Sequence, residues 1–455
     1  LSAPRRASAP SVGIVGGGVG GLALACLLAH DGHDVVVYDA GPLGGKLGEI
    51  ELHVHDATRR VSTGPSLFTF PEVWRRLLRH LGEADPLQLD RLPELGVHVV
   101  RGERLPIPVP EGHPLFEAWR RLEREVLPLA PHVETLLTTP PRFTNAAFLQ
   151  ASAALGRVVG SHFTAERWLR ARRVPPLLHD ALALHALNAG VGPRRGSALY
   201  ALLPVLIARD VFRPRNGMYA LVRALQQFAR ARGVRLRPFT PVRSLNLDGE
   251  VRLDGERVRH DRIVSALDPA RLAELRGSRP RSGVLTVSGV AVYASSSVPT
   301  TLPTTTIVAP SNARAFEDAV SARAFPRDTM SLVHDHGDHL AVLLTVPPNG
   351  RLLDIEHPWV RGQLARLRDV IGLPHLTGAV LSPAHFASLG PLGGAIYGHA
   401  HAAWRSGPFH PEPYRIGERL WQVGTGVHPG GGLPAVLGGA MIVHEQMRGS
   451  LASPH

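Results

Sequence analysis

The residues from Val12 to Asp39, VGIVGGGVGGLALACLLAHDGHDVVVYD, leave little freedom in what this chain can become. Val12 to Val15 read as a short buried strand, and Gly16, Gly18 and Gly21 satisfy the spacing G-x-G-x-x-G. Leu22 to Ala29 continue as a helix that Gly32 ends. Val35 to Tyr38 form a second strand, with Asp39 at its carboxyl end. Each glycine has a mechanical reason: the first permits the turn, the second lets a pyrophosphate approach the backbone, and the third lets helix and strand pack closely. The helix N-terminus then faces the phosphates with its partial positive charge. Asp39 lies eighteen residues after Gly21, placed to accept hydrogen bonds from an adenosine ribose and to repel a 2′-phosphate. The stretch predicts a dinucleotide site and argues against NADP.

Composition narrows the setting. At 455 residues the chain has room for two or three domains' worth of core. Its 47 glycines and 40 prolines show no G-x-y period and imply many tight turns. A single cysteine, Cys26, excludes an intramolecular disulfide framework and a multi-thiolate metal site, as suits a reducing cytoplasm. The net charge of +12 favours an anionic partner: nucleic acid, an acidic substrate or a membrane surface. No nucleic-acid motif and no basic run interleaved with aromatics is present, so the membrane surface is the preferred reading. The segment PRRASAPSVGIVGGG carries the twin arginine of an export signal, but its apolar run is combed with glycines and leads into a strand. The longest uncharged stretches, Ser282 to Ala313 and Trp421 to Val443, are full of Ser, Thr, Pro and Gly and do not read as spanning helices. The expectation is a cytoplasmic protein lying on the inner face of the membrane.

Two further blocks belong with the first. Leu221, Leu225 and Phe228 have helical spacing, with Gly233 as the stop; tight-turn pairs follow at Asp248-Gly249 and Asp254-Gly255. This helix and small β-meander return to the strand pattern IVSAL, and Val242 is expected where the chain passes the adenosine. Near the C-terminus, Leu420 to Val423 run into a glycine-rich turn and a helix starting near Leu433, a second helix N-terminus in a bend. Gly44, Gly45 and Lys46 resemble the GG-R that follows the acid in FAD enzymes of the glutathione-reductase and amine-oxidase type. Lys46 is the only lysine among the 50 basic residues, and it keeps the charge while exchanging a planar fork for a point.

Together these blocks resemble the bacterial phytoene desaturase family of FAD-dependent carotenoid desaturases. The matching strings are GGGVGGLALACLLAHDGHDVVVYDAGPLGGK, STGPSLFTFPEVW, FRPRNGMYALVRAL and VGTGVHPGGGLPAVLGGA, and the likeness covers roughly residues 1–75, 210–270 and 390–445. The segment GGAIYGHAHAAWRSGPFHPEP resembles the branch that adds 3,4-double bonds to hydroxylated carotenoids. The resemblance implies an α/β fold: a Rossmann-like FAD-binding domain assembled from residues 10–75, 210–272 and 393–450. An α+β substrate domain would come from 76–209 and 273–392, with a helical membrane-associating part, and residues 1–9 would be a flexible N-terminus. It implies FAD contacts at Gly16, Gly18, Val19, Gly20, Gly21, Asp39, Gly45, Lys46, Val242 and Gly424. The loops Gly64, Pro65, Ser66 and Gly431, Gly432, Leu433, Pro434 would lie near the isoalloxazine ring. The helical stretches VWRRLLRHLG, AWRRLEREV and AERWLRARRV would rest on the bilayer with Trp74, Trp119 or Trp168 at headgroup level.

The implied chemistry removes a hydride to the flavin and a proton from the neighbouring carbon. The positive charge left behind spreads over the polyene, so a finely tuned base is not required. The catalytic acid or base is left open, with His428 in the flavin turn as the candidate. His399 and His401 have no third ligand at metal-site spacing, and no metal is expected. Oxygen or a quinone would reoxidise the flavin. Phytoene desaturation, or a saturase or isomerase of the same fold, remains open. An amine oxidase would commonly use a lysine near flavin N5, a tyrosine-lined cage and sometimes a cysteinyl flavin link. Here Lys46 stands at the pyrophosphate end and Cys26 on the first helix. A carotenoid or retinoid carrier with a vestigial flavin site is the non-enzymatic alternative.

Overall fold

The computed structural model describes residues 9–54, 57–296, 299–411 and 413–451. The twin-arginine stretch, and all but the last residue of the N-terminal segment expected to be flexible, lie outside them.

The Gly-rich block folds as a strand Ser11–Val15, a helix Val19–His30 and a strand Asp34–Tyr38. These strands are the centre of a five-stranded parallel sheet, in the order 235–237, 34–38, 11–15, 262–265, 420–422. In register, Ile14 lies between Val37 and Val264. Both faces are covered, which is why the strands are runs of Val and Ile and not alternating patterns. Val12, Ile14, Val35 and Val37 face three helices: Val19–His30, Ala220–Ala231 and Leu433–Leu451. Val15, Val36 and Tyr38 face a small antiparallel sheet of 244–245, 250–252 and 257–259 through Leu245, Val251 and Leu253. The first helix is apolar all round because it is buried all round, with residues from Val19 to Leu28 in the core. It starts at Val19, earlier than Leu22, because Gly20 and Gly21 are helical.

A second sheet has seven strands in the order 377–381, 288–295, 340–346, 331–335, 305–308, 96–100, 103–107. Only the pair 305–308 and 96–100 is parallel. Helices between 116 and 207 cover part of it and make their own core. The 76–209 region is thus not wholly helical, since strands Leu89–Arg91, Gly96–Val100 and Glu103–Ile107 lie inside it.

The three tryptophans expected at a bilayer surface are not there. Trp74, Trp119 and Trp168 each have no exposed surface. Each sits on the apolar side of an amphipathic helix, among leucines that need the same burial. Two indole N–H groups find internal acceptors: Trp74 donates to Asp85 at 2.9 Å and Trp168 to the Val158 carbonyl at 3.0 Å. The arginines on the opposite sides pair with acids such as Glu72 and Glu166. Among the described residues no helix is long and apolar enough to cross a membrane.

Candidate functional site

The carboxyl ends of the parallel strands meet at a crevice where the strand order reverses, between 11–15 and 262–265, the usual ligand position in such sheets. Gly16, at φ +106°, turns the chain out of the first strand, its amide donating to the Tyr38 carbonyl at 2.8 Å. A β-carbon on Gly21 would lie 2.1 Å from the Gly16 carbonyl oxygen, so helix and turn are in direct contact there. Gly18 is the N-cap of the first helix, with no side-chain cap and no acid in the first turn. A β-carbon on Gly18 would meet only the Gly44 and Gly45 backbone, at 3.9 and 4.0 Å. The amide of Gly44 donates to the Gly17 carbonyl at 2.8 Å, which fixes the GG-K turn beside the first glycine loop.

Asp39 holds the other side of this loop. Its carboxylate accepts from the Gly17 amide at 2.7 Å and the Gly41 amide at 2.8 Å. Burial raises its pKa, and those two amides oppose the shift. Two bonds leave the carboxylate further acceptor capacity. The backbone of Thr240 donates to the Asp39 carbonyl at 2.7 Å, which brings the 238–243 segment, with buried Val242, next to the acid. Val242 lies between short strands and not within one.

Lys46 reaches the segment before the C-terminal block's turn, its ammonium donating to the Ile396 carbonyl. Burial lowers the Lys46 pKa, and the charge of Asp268 opposes the shift. Asp268 caps the helix Pro269–Leu275 through Oδ1, which accepts from the Ala270 amide at 2.9 Å. Its Oδ2 is buried with no partner among the described residues. Sequence reasoning passed over Asp268, although Asp-Pro at a helix start is a readable N-cap signal. Gly64 touches the same place: a β-carbon there would lie 2.6 Å from the Lys46 carbonyl oxygen, and its amide donates to the Tyr293 hydroxyl at 2.9 Å. Gly64 and Pro65 are exposed and Ser66 half-buried.

The C-terminal block closes the crevice. Val423 donates to the Ser265 carbonyl at 2.9 Å, and Gly424 follows at φ +111°. A β-carbon on Gly20 would lie 3.0 Å from Val436 and 3.7 Å from the Gly424 Cα. The two helix N-termini, at Gly18 and Gly432, therefore open on one region. Gly432, at φ +97°, would have nothing within 4 Å of a β-carbon, and Leu433 and Pro434 are half-buried at the helix start. His428 is fully buried, its Nδ1 hydrogen-bonded to the Tyr414 hydroxyl at 2.8 Å. Open glycine backbone, two helix N-termini, one ammonium and an unsatisfied carboxylate oxygen suit a diphosphate-bearing, hydroxyl-rich dinucleotide.

A cavity of about 40 Å³ lies against the Gly430–Gly431 turn. Tyr200, Tyr397, His401 and His410 line it, from two distant parts of the chain. The Tyr397 ring is pressed on the turn, 2.2 Å from where a Gly431 β-carbon would be. Tyr397, His401 and His410 all fall in the stretch GGAIYGHAHAAWRSGPFHPEP quoted above, and no local signal joins Tyr200 to them.

Residues 19–297 match the family model described as flavin containing amine oxidoreductase. The chain is 28% identical to the zeta-carotene-forming phytoene desaturase of Myxococcus xanthus, with 95% of this chain and 93% of the relative covered. It is 26% identical to the hydroxyneurosporene desaturase of Rubrivivax gelatinosus, with 97% and 93% covered. The solved structure of an oxidoreductase from Methanosarcina mazei has the same fold, with a TM-score of 0.61 at 13% identity over 96% of this chain and all of that one. This chain belongs to the flavin containing amine oxidoreductase family and is an FAD-dependent oxidoreductase.

Proposed function

We propose that the protein is a carotenoid desaturase that adds a C=C bond at the 3,4 position of a hydroxylated acyclic carotenoid. The observation that carries this reading is similarity along almost the whole chain to the phytoene and hydroxyneurosporene desaturases, and not to the glycine motif alone. The pieces 10–75, 210–272 and 393–450 act as one cofactor-binding unit; 76–209 and 273–392 hold the substrate. In it, Gly16, Gly18, Val19, Gly20 and Gly21 present backbone to the pyrophosphate, and Asp39 and Val242 hold the adenosine. Gly45 and Lys46 bring backbone and charge to the middle of the cofactor. Gly64, Pro65, Ser66, Gly424, Gly432, Leu433 and Pro434 surround its ring.

FAD supplies the hydride acceptor. The chain's own part is to hold the reacting C–H at about 3–3.5 Å contact distance and to keep water from the hydride-transfer side, leaving it access only where the proton departs. The hydride leaves one carbon, the proton leaves its neighbour to solvent, and their two bonding pairs become the hydride and the new π bond. Oxygen or a quinone takes the electrons afterwards. His428 has no exposed surface, so we assign it to holding the turn through Tyr414 and not to receiving the proton.

A lipid surface remains the source of so apolar a substrate. The exposed apolar residues Phe143, Leu149, Phe163, Trp404 and Phe409 are the ones we place against it. Phe409 packs edge-on against Phe148 of the helix that also carries Leu149, with ring centroids 6.1 Å apart. The test of function is pigment analysis after expression in cells that make defined acyclic carotenoids. A new 3,4 double bond in the hydroxylated pigment is expected. Desaturation of phytoene alone, or bleaching of the flavin by an amine and by no carotenoid, would overturn the reading.

A further inference from the structure

The cavity beside the Gly430–Gly431 turn has a composition that an apolar polyene does not need. Two phenols, Tyr200 and Tyr397, line it. Burial raises the pKa of both, so both stay protonated and able to donate. Tyr397 is held in place from behind: its amide donates to the Thr286 hydroxyl at 3.1 Å, and that hydroxyl donates to the Gly398 carbonyl at 3.1 Å.

His410 supplies the opposite polarity. Its Nδ1 faces the Pro411 carbonyl at 3.0 Å. A carbonyl oxygen can only accept, so the neutral ring carries its proton on Nδ1 and leaves Nε2 as an acceptor. Burial first, and then neighbouring His401, lowers the His410 pKa to about 4, so the ring is neutral at physiological pH. The two imidazoles meet edge to face at 4.6 Å. The cavity therefore offers phenol donors and an imidazole acceptor within about 40 Å³. That is a few water-sized volumes, enough for a hydroxyl and the carbon bearing it and too little for a quinone ring. A ketone or ether can use the phenols but leaves the imidazole unpaired, whereas an alcohol uses both.

We infer that this cavity is the end-group pocket for an aliphatic alcohol, in which Tyr200 and Tyr397 donate to the substrate hydroxyl and His410 Nε2 accepts from it. The inference rests on the desaturase reading and deepens it. A hydroxyl at the chain end lies a few carbons from a 3,4 bond, and the pocket lies directly against the turn proposed to flank the cofactor ring. Anchoring the hydroxyl would set which C–H faces the ring. A site built for such a group discriminates against analogues lacking it far more than an apolar slot can, because its polar atoms are left unpaired.

The test uses three carotenoids in vesicles: one with a terminal hydroxyl, its unhydroxylated parent and its methyl ether. Equilibrium binding to the FAD-loaded protein is read from the shift of the polyene absorption, and kcat/KM is measured separately. The alcohol is expected to bind at least about tenfold tighter than both analogues, a difference of about 1.4 kcal/mol. Tyr200→Phe and Tyr397→Phe, checked for flavin content and melting temperature, are expected to shrink that preference at least tenfold. Equal binding of all three by the wild-type protein overturns the pocket, whatever the variants do. So does an unchanged preference in variants that fold and hold flavin. If no carotenoid is turned over, the desaturase reading fails, while the binding series still decides the pocket.

Discussion

Gly18 and Gly21 stand three residues apart and do different work. Adding a methyl at Gly21 drives it into the Gly16 carbonyl oxygen, 2.1 Å away. At Gly18 the backbone is extended, φ −71° and ψ 176°, a conformation open to any residue, and the space beside it is bare. Gly18→Ala is therefore expected to leave the melting temperature of the apoprotein unchanged and to weaken FAD binding at least about tenfold. Gly21→Ala is expected to destabilise the apoprotein itself. Flavin absorbance per mole of protein, with parallel melts, separates the two; full flavin retention in Gly18→Ala would remove the pyrophosphate from this turn. Buried histidines give a second residue-level prediction. Burial lowers His98 to about 4 and His334 to about 3, as it does His410. Above the ordinary value of 6.5 both folded and unfolded chains hold these rings neutral. Between 6.5 and the folded values only the unfolded chain takes up protons, so stability falls as pH falls. Each ring contributes a slope of up to about 1.4 kcal/mol per pH unit. Melting temperatures are expected to be flat from pH 8 to 7 and to drop steeply from pH 6.5 to 5; a flat profile through pH 5 would mean these rings are not buried neutral.

An amphipathic helix says which side is apolar but not what covers it. The stretch PEVWRRLLRHL buries Trp74 with Leu77 and Leu78, and the same pattern would suit a helix lying on lipid. The helix Phe116–Val126 with Trp119 and the helix Ala165–Ala171 with Trp168 follow the same rule. Only long-range packing decides, and it put these indoles inside. Trp404 is different, being 60% exposed on a short turn beside Arg405. On anionic vesicles carrying brominated lipid, the quenched emission is expected to come from Trp404 and to vanish in Trp404→Phe, with Trp74, Trp119 and Trp168 silent. Quenching that survives the substitution would place the lipid face elsewhere. The same contrast explains what could be read beforehand. The crevice was legible because its signals are local: glycine spacing, β-branched strands, an acid at a strand end. Even there the helix began three residues before Leu22, since packing against Val436 and Gly16 outweighs the poor helix propensity of Gly20 and Gly21. The tyrosine and histidine cavity was legible only in part: Tyr397, His401 and His410 share the one stretch GGAIYGHAHAAWRSGPFHPEP, but nothing in the sequence brings Tyr200 to it, which happens only in the fold.

Contacts between distant parts of the chain set how the whole molecule should respond to its cofactor. Ser265 meets Val423, Gly20 meets Val436, and Lys46 bonds to Ile396 across 350 positions of sequence. A ligand that touches all of these pieces binds their folded arrangement and not the open chain. It therefore stabilises by mass action, by about 2.7 kcal/mol when its concentration is a hundred times Kd. Melting of the apoprotein with added FAD is expected to move upward in proportion to the logarithm of FAD concentration. A chain whose two largest sheets are separate need not melt in one step. If two transitions appear, FAD is expected to move the one that also protects residues 393–450 from proteolysis. Lys46 is where this coupling can be cut. Lys46→Met removes the bond to Ile396 and the charge opposite Asp268 while keeping the length of the side chain. It is expected to reduce the FAD-induced shift and the protection of the C-terminal block together, whereas Lys46→Arg keeps the charge and most of both. If Lys46→Met lost flavin but left the C-terminal block fully protected by saturating FAD, the lysine would serve the phosphate alone and would not tie the pieces together.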